Sequence, residues 1–144
     1  MSVYQLKISL VQANPTVGGI DFNSECVLTK ANEAEKKGSD LIVFPEMFLS
    51  GYQPLDLVNK RSFLENISIQ VQQIAQKTRS LGVRILIGGP WFLDGKIYNA
   101  FISIHKGFIK IVSKKSHLPN YDVFDEKRFF VAGDELELLD LGTL

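Results

Sequence analysis

The sequence has few of the residues that usually reveal a binding or structural site. One cysteine, Cys26, excludes an internal disulfide, and with only two histidines present no metal-ligand cluster is predicted. Sixteen basic and sixteen acidic residues give a formal charge of zero. This balance removes the electrostatic attraction toward nucleic acids and anionic membranes. We therefore expect no metal site and no nucleic-acid partner.

Long apolar runs and targeting signals are also missing from the sequence. No run approaches the roughly 20 apolar residues that cross a bilayer. The first residues alternate like a strand and lack the basic and apolar regions of a signal peptide. These absences predict a cytoplasmic protein without a membrane partner.

The remaining composition is typical of one globular domain over residues 1–144. Apolar residues make up 45% and charged residues 22% of the sequence, which excludes general disorder. A chain of this length can bury a substantial core. No linker, internal repeat or low-complexity tract divides it.

Hydrophobic periodicity predicts strands that alternate with helices. The predicted helices are Phe22–Lys37, with Asp21 as N-cap and Gly38 at its end, and a helix from Phe63 that ends at Gly82. The predicted strands are Val3–Val11, Leu41–Phe44, Val83–Gly88, the hairpin Lys96–Ile104 and Phe108–Ser113, and a strand that begins at Glu137. Gly18-Gly19 and Gly88-Gly89-Pro90 are predicted as turns, and the segment after Pro119 as a loop.

This order predicts an α/β fold, with a mixed sheet and two long helices. A sheet of this kind needs cover on both faces, and two helices cover only one. We therefore expect an apolar sheet face that is left for a partner or for another part of the same domain. Because exposed apolar faces and strand edges associate, we also expect a homo-oligomer.

Two charged residues follow predicted strands and suggest an active site. Glu46 comes after Val43-Phe44-Pro45, and Lys115 comes at the end of the strand that starts at Phe108. Ligands collect at the carboxyl ends of strands in open α/β sheets. A carboxylate there could act as a general base, and a lysine could stabilise an oxyanion. The simpler interpretation of each residue is a solvated surface charge.

The segment from Leu118 to Phe130 mixes aromatic and charged residues without helical or strand periodicity. Such a loop could line or gate a site, and its Glu126 could orient Lys115 by a charge-assisted hydrogen bond. The alternative interpretation of this segment is a surface loop whose charged side chains pair with one another. Cys26 lies in the middle of the first predicted helix, where a buried and inert thiol is the usual outcome.

Taken together, these motifs resemble the nitrilase superfamily over essentially the whole sequence. Phe44-Pro45-Glu46 resembles its catalytic glutamate motif, and Lys114-Lys115-Ser116-His117-Leu118 its catalytic lysine motif. Glu126-Lys127-Arg128-Phe129-Phe130 resembles the segment of its second, supporting glutamate. The resemblance implies that this is part of a nitrilase-type α-β-β-α sandwich.

Within the superfamily, the sequence is most similar to the amino-terminal glutaminase domains of glutamine-dependent NAD+ synthetases. Ser50-Gly51-Tyr52 with Asp56-Leu57 resembles one segment of that branch, although Gln53 replaces its usual proline. Leu118-Pro119-Asn120-Tyr121 with Val123-Phe124-Asp125-Glu126 resembles its lysine-following loop.

That resemblance implies roles for five residues. Glu46 is expected to be the general base and Lys115 the oxyanion-stabilising residue. Glu126, Tyr121 and Tyr52 are expected to support the site or to bind the substrate, glutamine. In this branch, a separate synthetase domain uses ATP and Mg to amidate deamido-NAD.

The cysteine nucleophile of the superfamily follows the lysine, and no cysteine follows Lys115 in this sequence. We therefore expect a piece of a longer enzyme that ends before its nucleophile, without cofactors of its own and inactive in isolation. The missing part of the polypeptide would be its partner. Two alternatives stay open at this point. One is a free-standing amidase, nitrilase or carbamoylase, and the other is a non-catalytic α/β interaction module.

Overall fold

The computed structural model describes residues 5–134 and 138–141. It contains five strands, two long helices, a 3-10 helix at Leu55–Asn59 and a single helical turn. The strands are β1 Ile8–Leu10, β2 Leu41–Val43, β3 Arg84–Leu93, β4 Lys96–His105 and β5 Phe108–Lys114. The helices are α1 Ile20–Lys36, α2 Arg61–Lys77 and α3 Glu126–Phe129.

The strands form one mixed sheet in the order β1-β2-β3-β4-β5. β1, β2 and β3 are parallel, and α1 and α2 make the crossovers that parallel neighbours require. β3, β4 and β5 are antiparallel and are joined by tight turns. The predicted mixed sheet with two long helices is therefore confirmed.

Both long helices cover the same face of the sheet, and the main core lies there. Isoleucines from the central strands point into this core, and α1 and α2 add apolar residues at helical spacing. All of the following are buried: Ile42, Ile85, Ile87, Ile102 and Ile104 of the sheet, Val27, Ala31 and Ala34 of α1, and Ile67, Val71 and Ile74 of α2.

The opposite face of the sheet is apolar and only partly covered. Leu41, Leu86 and Val112 form a small cluster, against which Leu139 packs. At the edge of this face, the side chain of Leu10 on β1 is 69% exposed. The expected apolar second face is therefore present on the side away from the helices, but it is buried at its centre and exposed at its β1 edge.

We expect the exposed part of this second face to drive self-association, because apolar side chains there stay in contact with water. Sedimentation velocity over a range of concentrations should show dimers or larger species. Leu10→Lys should shift the population toward monomer, whereas Phe22→Lys, on an exposed position of α1, should not. A monomer at all concentrations, or equal effects of the two substitutions, would contradict this prediction.

Two predicted element boundaries are wrong for local reasons. α1 begins at Ile20 after Gly19, so Asp21 lies in the first turn and is not the N-cap. Asn23 binds the backbone N–H and C=O of Thr16 and draws the preceding loop onto that turn. α2 ends at Lys77, because the Thr78 hydroxyl donates to the Ile74 carbonyl at the C-cap.

The segment Gly88-Gly89-Pro90 is not a turn but the middle of β3. The turn lies at Asp94-Gly95, where both residues have positive φ, as a two-residue hairpin requires. The segment after Pro119 is mainly irregular, as predicted, but contains the helical turn α3. Glu137 lies outside the described residues, and residues 138–141 form no regular strand.

Candidate active site

Glu46 is placed by a loop that follows β2 and is hydrogen-bonded along β3. Phe44 N–H donates to the Leu86 carbonyl at 2.8 Å, and Leu49 N–H donates to the Gly88 carbonyl at 3.1 Å. The backbone between them passes so close to Gly88 that a Cβ there would lie 2.6 Å from Met47 N. Glycine at this position therefore lets the Glu46 loop rest on the sheet.

Lys115 directly follows β5, and its backbone continues the sheet contacts. Its N–H donates to the Asn99 carbonyl at 2.8 Å, and its carbonyl accepts from Gly133 N–H at 2.9 Å. Its Nζ lies 2.8 Å from Glu46 Oε1 and 3.0 Å from Glu126 Oε1. One ammonium group therefore joins the two predicted carboxylates.

Glu126 is the buried member of this cluster, with only 5% of its surface exposed. It is the first residue of α3, and its N–H donates to the Pro119 carbonyl at 3.1 Å. The Tyr52 hydroxyl donates to Glu126 Oε1 at 3.3 Å, beside Lys115 Nζ. Glu126 Oε2 is buried and has no hydrogen-bond partner among the described residues.

Tyr121 lies outside this hydrogen-bonded cluster. Its ring packs edge-on against Phe124 with centroids 5.6 Å apart, and Phe124 lies 6.5 Å from the ring of Tyr52. The Tyr121 side chain is largely exposed, at the rim of the loop that starts after Lys115. The sequence prediction that Tyr121 binds substrate thus stays a prediction, with the residue placed near the site but not in it.

Asn99 on β4 belongs to the site, although the sequence analysis did not select it. Its side-chain Nδ2 lies 2.6 Å from Glu46 Oε1, and the residue is 5% exposed. The available signal was a single amide side chain inside the run Ile97–Ile104, whose other residues are apolar except for Ser103 and the hydroxyl of Tyr98. Because buried amides need partners, such a residue indicates a polar group on the neighbouring element.

Glu46, Asn99 and Lys115 line a cleft of about 410 Å³ on the second face of the sheet. Its other lining residues are Phe44, Gly88, Ala100, Phe101 and Ser113. Cys26 lies on α1 and packs against the core on the helix face. The sheet therefore separates the thiol of Cys26 from this cleft.

The charges of the site change two proton affinities. Burial alone lowers the pKa of the Lys115 ammonium, but its hydrogen bonds to Glu46 and Glu126 outweigh burial and raise that pKa above 10.5. Burial raises the pKa of the Tyr52 phenol, and a hydrogen bond from Gln53 lowers it by a smaller amount. The negative charges of Glu126 and Glu46 raise this pKa further. Lys115 is therefore a cation, and Tyr52 a hydroxyl donor, at neutral pH.

The raised pKa of Lys115 predicts a loss of stability in alkaline solution. The pKa of Lys115 is higher in the folded than in the unfolded protein, so protonated Lys115 contributes to the free energy of unfolding. This contribution is complete at pH values below the unfolded-state pKa. It disappears as the pH rises through the folded-state pKa. Glu126→Gln removes one cause of the rise and should flatten the decline. Urea unfolding between about pH 9 and 12 measures this slope.

The control for this experiment is Glu65→Gln. Glu65 pairs with Arg61 on the exposed surface of α2, away from Lys115. It should leave the alkaline slope unchanged. Equal slopes in wild type and Glu126→Gln would contradict the assigned cause.

Across residues 5–134 and 138–141, no three or more His, Cys, Asp or Glu side chains are grouped so that they could hold a metal ion. In the same residues, no helix combines the length and the apolar composition needed to cross a membrane.

Comparison with known proteins identifies the family. The carbon-nitrogen hydrolase model matches residues 7–144. The chain belongs to the carbon-nitrogen hydrolase family. It is 43% identical over 142 residues to a glutamine-dependent NAD(+) synthetase of Thermotoga maritima, covering 97% of this chain and 24% of that protein.

Two solved structures have the same fold as this chain. A glutamine-dependent NAD(+) synthetase from Cytophaga hutchinsonii superposes with a TM-score of 0.81 at 25% identity, over 88% of this chain and 22% of that one. An amidase from Nesterenkonia sp. AN1 gives a TM-score of 0.75 at 20% identity, over 90% of this chain and 49% of that one. The predicted nitrilase-type fold is confirmed, and the chain spans about a quarter of the length of the synthetases that it matches.

Proposed function

We propose that this chain forms part of a glutaminase site that supplies ammonia for the ATP-dependent amidation of deamido-NAD. The observation that carries the proposal is the convergence of Glu46 and Glu126 on the ammonium group of Lys115. Glu46 and Lys115 also line one cleft, and an acyl-transfer site needs a base and an oxyanion-stabilising cation. The 43% identity to a glutamine-dependent NAD(+) synthetase supports the choice of substrate and product.

In the proposed reaction, Glu46 takes the proton from a cysteine thiol. The thiolate then forms a C–S bond with the amide carbon of glutamine, and the carbonyl electron pair moves to oxygen. Lys115 stabilises this oxyanion, because its ammonium is already fixed between two carboxylates. When the oxyanion collapses, the C–N bond breaks, and the proton held by Glu46 leaves with ammonia.

The thioester that remains is hydrolysed by water, which Glu46 can activate in the same way. Glu126 supports the site by holding Lys115 Nζ through its Oε1. Tyr52 keeps Glu126 in place through its hydroxyl. Tyr121 is proposed to contact the substrate from the exposed loop.

The nucleophile must come from outside these 144 residues, because their only thiol, Cys26, lies on the other side of the sheet. We place it in the remainder of the same polypeptide, which would also cover the exposed sheet face. We assign ATP and Mg to the proposed synthetase domain. A cytoplasmic location and a homo-oligomer complete the proposal.

This proposal predicts that the 144-residue chain alone releases no ammonia from glutamine. The reason is that a base and a cation without a thiol cannot form the thioester. A coupled ammonia assay on the purified chain should stay at the buffer background, and Cys26→Ser should not change the result. Ammonia release that survives purification and disappears in Cys26→Ser would contradict it.

The same assay on the complete gene product separates the remaining hypotheses. Glutamine-dependent ammonia release coupled to NAD formation supports the proposal. Ammonia release without NAD formation would favour a free-standing amidase. A gene product without any amidase activity would favour a non-catalytic interaction module.

A further inference from the structure

Asn99 is a buried polar residue in an apolar strand, and its amide points at the predicted base. Its Nδ2 donates to Glu46 Oε1 over 2.6 Å. A buried amide that loses its partner costs about 1–3 kcal/mol, so an apolar residue would be the more stable choice without Glu46. The hydrogen bond to the Glu46 carboxylate therefore explains why this buried position holds an asparagine.

The same residue also holds the lysine, but through its backbone. The Asn99 carbonyl accepts the N–H of Lys115 at 2.8 Å. Asn99 thus contacts both charged groups through different atoms, and β4 fixes these atoms relative to each other. A shift of its backbone would move Lys115, whereas loss of its side chain alone would release Glu46.

Two donors meet on one oxygen of Glu46. Lys115 Nζ lies 2.8 Å and Asn99 Nδ2 2.6 Å from Oε1. An oxygen that accepts two such hydrogen bonds, one of them from a cation, is a poor proton acceptor. The other oxygen, Oε2, is the one left to take a proton.

We propose that Asn99 is a positioning residue that holds Glu46 through Oε1 and so assigns Oε2 as the basic oxygen. The inference rests on the proposed glutaminase function. Asn99 acts through Glu46 and does not contact the substrate in this scheme. Its side chain therefore affects the chemical step more than substrate binding.

The test is Asn99→Leu, which keeps the shape of the side chain and removes its donor. In the complete gene product, kcat for glutamine hydrolysis should fall about 100-fold, as for a misplacement of about 1 Å in a catalytic group. KM should change by less than about 3-fold, because substrate contacts are intact. A crystal structure of the variant should show the Glu46 carboxylate displaced from its wild-type position.

The matched control is Thr78→Val. Thr78 is also buried, at 4% exposure, and its hydroxyl donates to the Ile74 carbonyl at the end of α2 rather than to a catalytic group or to the Glu46 loop. It should lower stability and leave kcat within about 2-fold of wild type at temperatures where the protein is folded. If Asn99→Leu does not fold, Asn99→Ala replaces it in the comparison. Alanine leaves an empty space where leucine would place an apolar group.

An unchanged kcat in the Asn99 variant, or a loss no greater than that of Thr78→Val, would overturn the inference. A wild-type gene product without glutaminase activity would instead remove the proposed function. In that case the crystal structure of the Asn99 variant tests the positioning role without activity data. A Glu46 carboxylate that stays in place without the amide overturns the positioning role, and one that moves by about 1 Å supports it.

Discussion

Glu46→Gln in the complete gene product should lower kcat for glutamine hydrolysis by roughly 10³-fold, within the range usual for loss of a general base. The amide has nearly the shape of the carboxylate, so the loop on Gly88 should keep its conformation. It can still accept a hydrogen bond from Lys115 through its oxygen, but it cannot take a proton from a thiol. The loss should therefore appear in kcat, with a much smaller change in KM.

The same substitution removes one of the two carboxylates that raise the pKa of Lys115. Glu65→Gln is the matched control, because Glu65 is exposed on α2 and pairs with Arg61. It should leave kcat unchanged. Stopped-flow or steady-state ammonia measurements on the three proteins suffice, and a Glu46→Gln variant with wild-type kcat would exclude Glu46 as the base.

The second large effect is expected from Gly88→Ala on β3. The added Cβ would lie 2.6 Å from Met47 N and 2.9 Å from Glu46 Cα, both of which are backbone atoms of the same loop. Contacts this short force the loop away from the sheet, at a cost of about 3 kcal/mol in the free energy of unfolding. The displaced loop carries Glu46, so activity should fall with stability.

Gly82→Ala provides the control for this prediction. Its Cβ would meet only the Glu35 carboxylate, at 3.5 Å, which is an ordinary contact. Neither glycine has a positive φ, so the backbone accepts alanine at both positions and the comparison isolates the steric effect. Urea unfolding should show a change within about 0.5 kcal/mol for Gly82→Ala. Equal midpoints for the two variants would contradict the role assigned to Gly88.

Local sequence signals predicted a strand or helix well where its apolar residues repeat with a single period along the whole element. The isoleucines of the central strands and the α1 residues Val27, Ala31 and Ala34 lie in the core at the spacing that their elements require. The same rules failed at Gly88-Gly89-Pro90, which local chemistry assigns to a turn. The deciding interaction there is the approach of Met47 to Gly88, a contact between segments distant in sequence.

In the candidate site too, the residues marked by local sequence signals could be predicted, whereas those defined by contacts between distant segments could not. Glu46 and Lys115 could be selected because each follows a predicted strand, and Glu126 because of its place in the following loop. Asn99 could not be selected in this way, since its importance comes from a cross-strand hydrogen bond to Glu46. The roles of Tyr52 and Tyr121 differ for a similar reason. Only the fold shows that Tyr52 contacts Glu126, whereas Tyr121 lies at the rim.

The most direct test of the central claim follows the nitrogen atom. The complete gene product is incubated with glutamine labelled with ¹⁵N at the amide, ATP, Mg and deamido-NAD, and the NAD formed is analysed by mass spectrometry. We predict ¹⁵N in the NAD carboxamide, its loss in Glu46→Gln, and its return in that variant when labelled ammonium is supplied directly. Unlabelled or absent NAD in the wild type, or undiminished transfer in Glu46→Gln, would contradict the proposed glutaminase function.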